Sequence, residues 1–192
     1  MKKIIFLLLL LPFGAYADEL VDMGRFNTFT KNIGTVSASF EQMKILPETT
    51  KQFVSTGRVK FQKDVGFIWI QDTPTKQKFV STKQQYCVDG VAQDLKNLPY
   101  FYYVREIIDS ALNGDISGLQ MVFNVDYSEY GKKLWQMTVR PRFTAVADIL
   151  QDVVMYGSTT ELTKAIITYN DGTIVIIQFK PQKVEIQDEI AC

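Results

Sequence analysis

The sequence predicts an α+β fold, in which a long antiparallel sheet is accompanied by two helical segments. Apolar and polar residues alternate with a period of two over most of the chain, and turn-forming residues separate these runs. Apolar residues recur at the helical spacing of three to four in two stretches, one near the N-terminus and one in the middle. The chain has 192 residues, 46% of them hydrophobic, which is enough to bury a substantial core in one domain.

The N-terminal residues 1–17 have the composition of an export signal. Two lysines precede an apolar run at 4–11, and an A-x-A sequence ends at Ala17. This order is typical of a secretory signal peptide, and the apolar run is too short to span a bilayer. We therefore expect cleavage after Ala17 and a single mature domain at 18–192 in a bacterial periplasm. Because Asp18 and not a cysteine follows the cut, no lipid anchor is expected; a buried N-terminal helix is the alternative.

Elements of the N-terminal half follow from these two periods. The first helix is predicted by one apolar face that ends near a glycine: Leu20, Met23, Phe26, Phe29 and Ile33. Alternation then predicts strands at 36–42 and 53–61, and an apolar run predicts a third at 67–70. A further strand or hairpin is expected over 78–88, closed by an Asp-Gly dipeptide.

The second half begins with an aromatic cluster at 98–103. A helix is predicted after it by the apolar residues Val104, Ile107, Ile108, Ala111 and Leu112, and an Asn-Gly dipeptide ends this helix. Strands are then expected at 119–125, 134–139, 149–156, 162–169 and 173–179. The last two flank Asn-Asp-Gly, a strong hairpin signal.

Composition excludes several classes of function. The chain has no histidine, so Ser-His-Asp and Cys-His catalysis and histidine-ligated zinc are impossible. Its 21 basic and 21 acidic residues offer no basic excess for nucleic acid. Nucleophile elbows, phosphate loops and zincin motifs are also missing from the sequence. We expect a binding protein without cofactor, metal or enzymatic activity, although a hidden carboxylate pair or a Lys, Tyr or Ser nucleophile stays open.

The two cysteines, Cys87 and Cys192, are expected to form a disulfide. An exported protein folds in an oxidising compartment, and a bond to the last residue would anchor a tail that otherwise frays. Two free thiols are the alternative. A redox-active pair is not expected, because the chain has no C-x-x-C.

Some strands are apolar on both faces, as at 67–70 and 174–179, where a half-solvated sheet would alternate cleanly. Either a helix covers the second face or these are simply central strands, or else the sheet is concave and its inner face receives an apolar ligand. For the ligand we predict a cavity lined by Phe40, Val59, Phe61, Trp69, Met137, Val139, Ile177 and Phe179. Ordinary core packing of these residues is the alternative, because alternation alone does not tell core from pocket.

Several of these segments, in this order, resemble the LolA family of periplasmic carriers of outer-membrane lipoproteins. The resemblance is carried by V-S-A-S-F-E-Q at 36–42, G-R-V-K-F at 57–61, G-F-I-W at 66–69, V-R-P-R at 139–142 and the closing hairpin at 166–179. It implies an unclosed half-barrel with helices as a lid over a concave apolar face. It also implies lipoprotein or lipid cargo, an inner-membrane transporter as donor and an outer-membrane receptor as acceptor.

A carrier that shields and releases acyl chains needs a cover with two positions. Four consecutive aromatic residues after a proline suit this role, so we predict a lid containing Tyr100, Phe101, Tyr102, Tyr103 and Ile107. A helix that these rings fix to the core is the alternative, in which case 46–52 would be the next candidate. We expect a monomer that binds no nucleic acid and has no membrane span.

The chain departs from the family in three respects. Lys63-Asp64 stands where the family often has Arg-Pro, the C-terminal tail is shortened, and the cysteine pair is not a family feature. Lysine lacks the planar fork of arginine, so lid control could differ. These departures leave two alternative functions open: a carrier of a non-protein envelope lipid or glycolipid, and a lipid-sensing regulatory domain in envelope stress.

Overall fold

The computed structural model of the chain describes residues 23–32, 34–49, 51–94, 99–181 and 190–192. Its helices are α1 (Gly24–Asn32), α2 (Pro99–Asn113), α3 (Ile116–Val122) and α4 (Thr144–Ala147). Its strands are β1 (Thr35–Ile45), β2 (Gln52–Gln62), β3 (Gly66–Thr73), β4 (Gln77–Thr82), β5 (Tyr86–Val88), β6 (Val91–Gln93), β7 (Phe123–Tyr130), β8 (Leu134–Pro141), β9 (Leu150–Ser158), β10 (Leu162–Tyr169) and β11 (Ile174–Pro181). None of the helices in these ranges is long and apolar enough to cross a membrane.

The strands form one 11-stranded sheet in the order β6-β5-β4-β3-β2-β1-β11-β10-β9-β8-β7. Every pair is antiparallel, and β1 joins the two halves of the chain by pairing with β2 on one side and β11 on the other. Strands β6 and β7 stand at opposite edges and do not pair with each other, so the sheet is unclosed. The predicted α+β fold with an unclosed antiparallel sheet is confirmed.

One face of the sheet, which we call the inner face, packs against the helices and carries the main hydrophobic core. Helix α1 contributes Phe26 and Phe29, whose ring centroids lie 5.2 and 5.6 Å from that of Trp135 on β8. All three rings are buried, and such aromatic contacts add to the stabilisation that burial of their area provides.

Polar contacts also fix α1 to the β7–β8 hairpin. Arg25 forms an ion pair with Glu129 at 2.9 Å and donates hydrogen bonds to the backbone carbonyls of Leu134 and Gly131 at 2.9 and 3.1 Å. The backbone amide of Arg25 also donates to Glu129 at 2.9 Å. Ring packing and a forked arginine together make α1 a fixed cover over this end of the inner face.

The opposite, outer face has a second, small core on strands β3 to β5. Ile68, Val80 and Cys87 are buried there, with Ile190 packed against them. Cys87 and Cys192 form a disulfide, with Cα atoms 5.8 Å apart, which confirms the predicted bond. The C-terminal residues therefore cover part of the outer face, and this explains why the strand at 67–70 is apolar on both sides.

The structure corrects the sequence prediction at three places. The strand predicted at 119–125 is wrong in its first part, because residues 119–122 belong to α3. The Asp115 side chain accepts a hydrogen bond from the Gly118 amide at 2.9 Å and caps this helix. The short strand β6 and the single-turn helix α4 were not predicted. The signal peptide at 1–17, as well as Leu20 and Ile33 of the first predicted helix, lie outside the described residues.

Candidate ligand-binding cavity

A cavity of about 90 Å³ lies between α2 and the inner face of the sheet. Its walls come from α1, α2 and six strands, and every lining residue is hydrophobic: Phe29, Val36, Ala38, Val59, Phe61, Phe67, Trp69, Val104, Ile107, Ile108, Leu112, Val153, Met155, Leu162, Ala165, Ile167, Ile177 and Phe179. With no charged group or hydroxyl on its walls, this space favours an aliphatic guest over a polar one.

Two alanines help to create the empty space. Ala165 stands between Ile177 of β11 and Met155 of β9 in the sheet register, and both alanines, Ala38 and Ala165, line the cavity. Ala38 is paired with Val59 of β2. A methyl group among larger side chains leaves volume that close packing would normally fill. The cavity is therefore encoded by small residues on the inner face.

Five of the eight predicted cavity residues line this space: Val59, Phe61, Trp69, Ile177 and Phe179. The other three do not. Phe40 stacks on Trp69 with ring centroids 3.8 Å apart, and Met137 and Val139 are fully buried on β8. Met137 and Val139 belong to the packed core, since β8 lies towards the end of the sheet that α1 covers, and Phe40 is buried on β1 against Trp69. For the five lining residues, ligand binding stays a prediction.

Sequence reasoning missed the lining residues of β9 and β10, namely Val153, Met155, Leu162, Ala165 and Ile167. Their alternation was visible in the sequence, but it does not show which strands lie under α2. The apolar side of α2 was recognised as a helical face, and its Val104, Ile107, Ile108 and Leu112 now form the roof of the cavity.

Helix α2 thus occupies the place predicted for the lid. Ile107 is fully buried over the cavity, Tyr103 packs partly buried against the core, and Tyr102 is 39% exposed. Tyr100 and Phe101 belong to the first turn of α2, but their side chains lie outside the described part of the structure. Whether α2 moves stays a prediction.

A buried arginine holds the middle of α2 against the sheet. Arg105 donates from Nη2 to the Thr82 carbonyl at 2.8 Å and from Nε to the Ser81 hydroxyl on β4. It also forms ion pairs with Glu106 at 3.2 Å and with Asp109 at 3.3 Å. Only 10% of the Arg105 side chain is exposed, so its hydrogen bonds to Ser81 and Thr82 operate with little competition from water.

Asp109, one turn after Arg105, is the least satisfied polar group of this anchor. Burial raises the pKa of its carboxyl to about 6, although the positive charge of Arg105 acts in the opposite direction and Glu106 adds a further rise. Its Oδ1 atom is buried and has no hydrogen-bond partner among the described residues.

Lys63 and Asp64, at the β2–β3 turn, each contact the last turn of a helix. The Lys63 ammonium donates to the Thr30 carbonyl of α1 at 3.5 Å, and the Asp64 amide donates to the Asn113 side chain of α2 at 3.0 Å. A lysine near the C-terminal carbonyls of a helix is favourable. The turn therefore ties both helix ends to the sheet, while the deeply buried contact of α2 is made by Arg105.

Replacing Arg105 by lysine is expected to raise the equilibrium constant for local opening of α2 by roughly 10- to 30-fold, since hydrogen bonds of a charged group are worth about 1.5–3 kcal/mol and lysine lacks the fork. Amide hydrogen exchange of residues 102–112 measures this constant. Arg25→Lys is the matched control, because it should loosen α1 and leave α2 unchanged. Equal protection of α2 in wild type and Arg105→Lys would show that Arg105 does not hold the helix.

Within the described ranges, no three acidic or cysteine side chains are grouped in a way that could hold a metal ion. The acidic groups near α2 lie outside the apolar cavity, whose lining contains none of them. The cavity itself can therefore bind and shield an apolar group, and its lining offers no acid, base or nucleophile of the usual kinds.

Comparison with known proteins gives a likeness in structure only. No family model matches the chain, and no curated protein sequence matches it.

The solved structure of MucB is similar to this chain, with a TM-score of 0.50 and 14% sequence identity. The match covers 88% of this chain and 60% of MucB, so the chain spans less than two thirds of that protein. A LolA superfamily protein of Nitrosomonas europaea is 9% identical, with a TM-score of 0.43, over 85% of this chain and 94% of its own. An outer membrane lipoprotein-sorting domain of Vibrio parahaemolyticus is 8% identical, with a TM-score of 0.34, over 81% and 88% of the two chains. At these identities the likeness concerns the fold alone.

Proposed function

We propose that the protein is a periplasmic carrier that shields acyl chains in the cavity beneath α2. The observation that carries this proposal is a cavity whose lining is hydrophobic throughout and whose roof is a helix that Arg105 holds from outside the cavity. Each CH₂ group removed from water contributes about 0.8 kcal/mol, so an acyl chain gains several kcal/mol on entering such a space.

The size of the cavity supports a closed state that opens for ligand. Its volume of about 90 Å³ is well below the roughly 300–1,000 Å³ of typical ligand sites. An acyl chain therefore needs α2 to move away from the sheet, and four cavity residues on α2 would then become part of the wall of a wider site. The roof position of α2 supports gating by this helix rather than by the segment 46–52.

The cost of the empty space also supports a role in binding. An unfilled cavity costs about 24 cal/mol per Å³, so this one costs about 2 kcal/mol of stability. Replacing either lining alanine by a larger side chain would remove that cost. A space that stability alone does not favour is expected where a ligand uses it.

We propose acylated lipoproteins as the cargo, with transfer from an inner-membrane transporter to an outer-membrane receptor. Support comes from the export signal predicted at 1–17, the family motifs of the sequence and the unclosed antiparallel sheet, which is the architecture that the resemblance implies. A non-protein envelope lipid or glycolipid would fit the same apolar cavity. In either case residues 18–192 would act as one domain in the periplasm.

A second candidate is a lipid-sensing regulatory domain, which the likeness to MucB favours. MucB has been determined in complex with MucA, so that protein has a protein partner. A sensor would keep its ligand and change its affinity for a partner, whereas a carrier would give the ligand up to acceptor membranes. Transfer of a bound fluorescent lipid to vesicles distinguishes the two.

Native mass spectrometry of the exported protein, purified without detergent, tests the proposed function. We expect the mass of the mature chain plus an acylated species that is lost on organic extraction. Full occupancy by a small polar metabolite, or a bare chain that also fails to take up added fatty acid, would contradict an acyl carrier.

A further inference from the structure

We propose that Asp109 makes the opening of α2 pH-dependent, so that the helix is held more firmly near pH 4 than at neutral pH. The consequence for ligand uptake rests on the proposed function, whereas the opening equilibrium itself does not. Asp109 lies on the side of α2 that also presents Arg105 to β4, away from the apolar roof.

The geometry leaves the ionised carboxylate of Asp109 poorly compensated in the closed state. Its Oδ2 atom lies 3.3 Å from Arg105 Nε, but that nitrogen also donates to the Ser81 hydroxyl. Its Oδ1 atom is buried and accepts no hydrogen bond from the described residues. The Asp109 side chain is 22% exposed, and a largely buried carboxylate with one shared donor is less favourable than its neutral form.

Asp109 lies at a polar pocket to which several elements contribute charged groups. On α2 these are Arg105 and Glu106, which form an ion pair with each other at 3.2 Å. Lys83, in the β4–β5 turn, and Asp64, in the β2–β3 turn, face the same pocket, but they lie 3.6 Å from each other, so their charges largely cancel.

The last charged group, Asp115 before α3, accepts a hydrogen bond from the Gly118 amide and caps that helix. The described surroundings therefore offer Asp109 one buried cation, Arg105, which Glu106 already shares. Among these described groups, no second donor contacts the carboxylate of Asp109.

The direction of the pH effect follows from this environment. Burial raises the pKa of Asp109 to about 6 in the closed state, against an ordinary value of about 3.9 for a carboxyl in water. When α2 opens, the carboxyl becomes solvated and releases its proton over the interval between these values. The equilibrium constant for opening of α2 therefore increases as the pH rises from 4 to about 6 and changes little at higher pH. Between pH 4 and pH 7 the equilibrium constant should rise roughly 50-fold.

Hydrogen exchange of ligand-free protein at pH 4 to 7.5, corrected for the intrinsic exchange rate, measures this constant for residues 102–112. We expect a roughly 50-fold rise in wild type and a flat profile in Asp109→Asn, which keeps the shape but cannot ionise. Asp126→Asn is the matched control, because Asp126 is exposed on β7 and should leave the rise unchanged. A flat wild-type profile, or the same rise in Asp109→Asn, would overturn the proposal.

A second measurement avoids variants altogether, in case Asp109→Asn does not fold. The side-chain carboxyl resonance of Asp109 in wild type should titrate near pH 6, and titration near pH 4 would equally overturn the proposal. Fatty-acid binding is measured on the same samples. A pH-dependent opening without fatty-acid binding would refute only the proposed function, and fatty-acid binding with pH-independent opening would refute only the role of Asp109.

Discussion

Loss of the disulfide between Cys87 and Cys192 is expected to lower the free energy of unfolding by about 4 kcal/mol. The bond closes a loop with a sequence separation of 105. In the chain-entropy model, a disulfide that closes a loop of about 100 residues stabilises the folded state by about 4–5 kcal/mol. Ile190 would also lose its fixed position over Ile68 and Val80, exposing part of the outer-face core.

Urea unfolding of Cys192→Ser and of a Cys87→Ser/Cys192→Ser double variant measures this effect. Both should be destabilised to about the same extent as the reduced wild type, with a fall in Tm of roughly 10 °C. A loss below about 1 kcal/mol in all three would mean that the unfolded chain gains little freedom when the bond is removed.

Filling the cavity with a larger side chain is expected to separate stability from binding. Ala165→Leu places three more carbon atoms in the space beneath α2, so the free energy of unfolding should rise by about 1 kcal/mol. The same atoms displace two or three CH₂ groups of a bound acyl chain, at about 0.8 kcal/mol each, so affinity should fall about 30-fold.

Displacement of a fluorescent fatty acid measures the affinity, and urea unfolding measures the stability. Lys164→Leu is the matched control, because it introduces the same side chain at the neighbouring position, on the outer face. Unchanged affinity in Ala165→Leu would place the ligand elsewhere. A large loss of stability would show that the space is already filled in solution.

Alternation along the strands predicted which side chains face inward, because the side-chain period of a strand is two. It predicted Val59, Trp69 and Ile177 on the inner face, and these line the cavity. It also selected Met137 and Val139, which are core. The difference depends on which helix covers which strand, and local periodicity carries no information on that pairing.

The polar anchor of α2 could not be predicted for a similar reason. Arg105 and Ser81 are 24 residues apart, and only the folded sheet brings β4 under the middle of α2. Helix α3 had a local signal, the cap at Asp115, but the apolar run after it also fits a strand. The disulfide could be predicted without knowledge of the fold, because a chain with two cysteines has only one possible internal pairing and an oxidising compartment favours it.

The most direct test of the proposed carrier is photo-crosslinking with a fatty acid that bears a diazirine in the middle of its chain. After irradiation, mass spectrometry of peptides locates the labelled residues. Binding beneath α2 predicts labels on inner-face residues such as Val59 and Ile177 and on Ile108 of α2. Labels confined to the outer face, or spread evenly over the surface, would contradict an acyl site in this cavity.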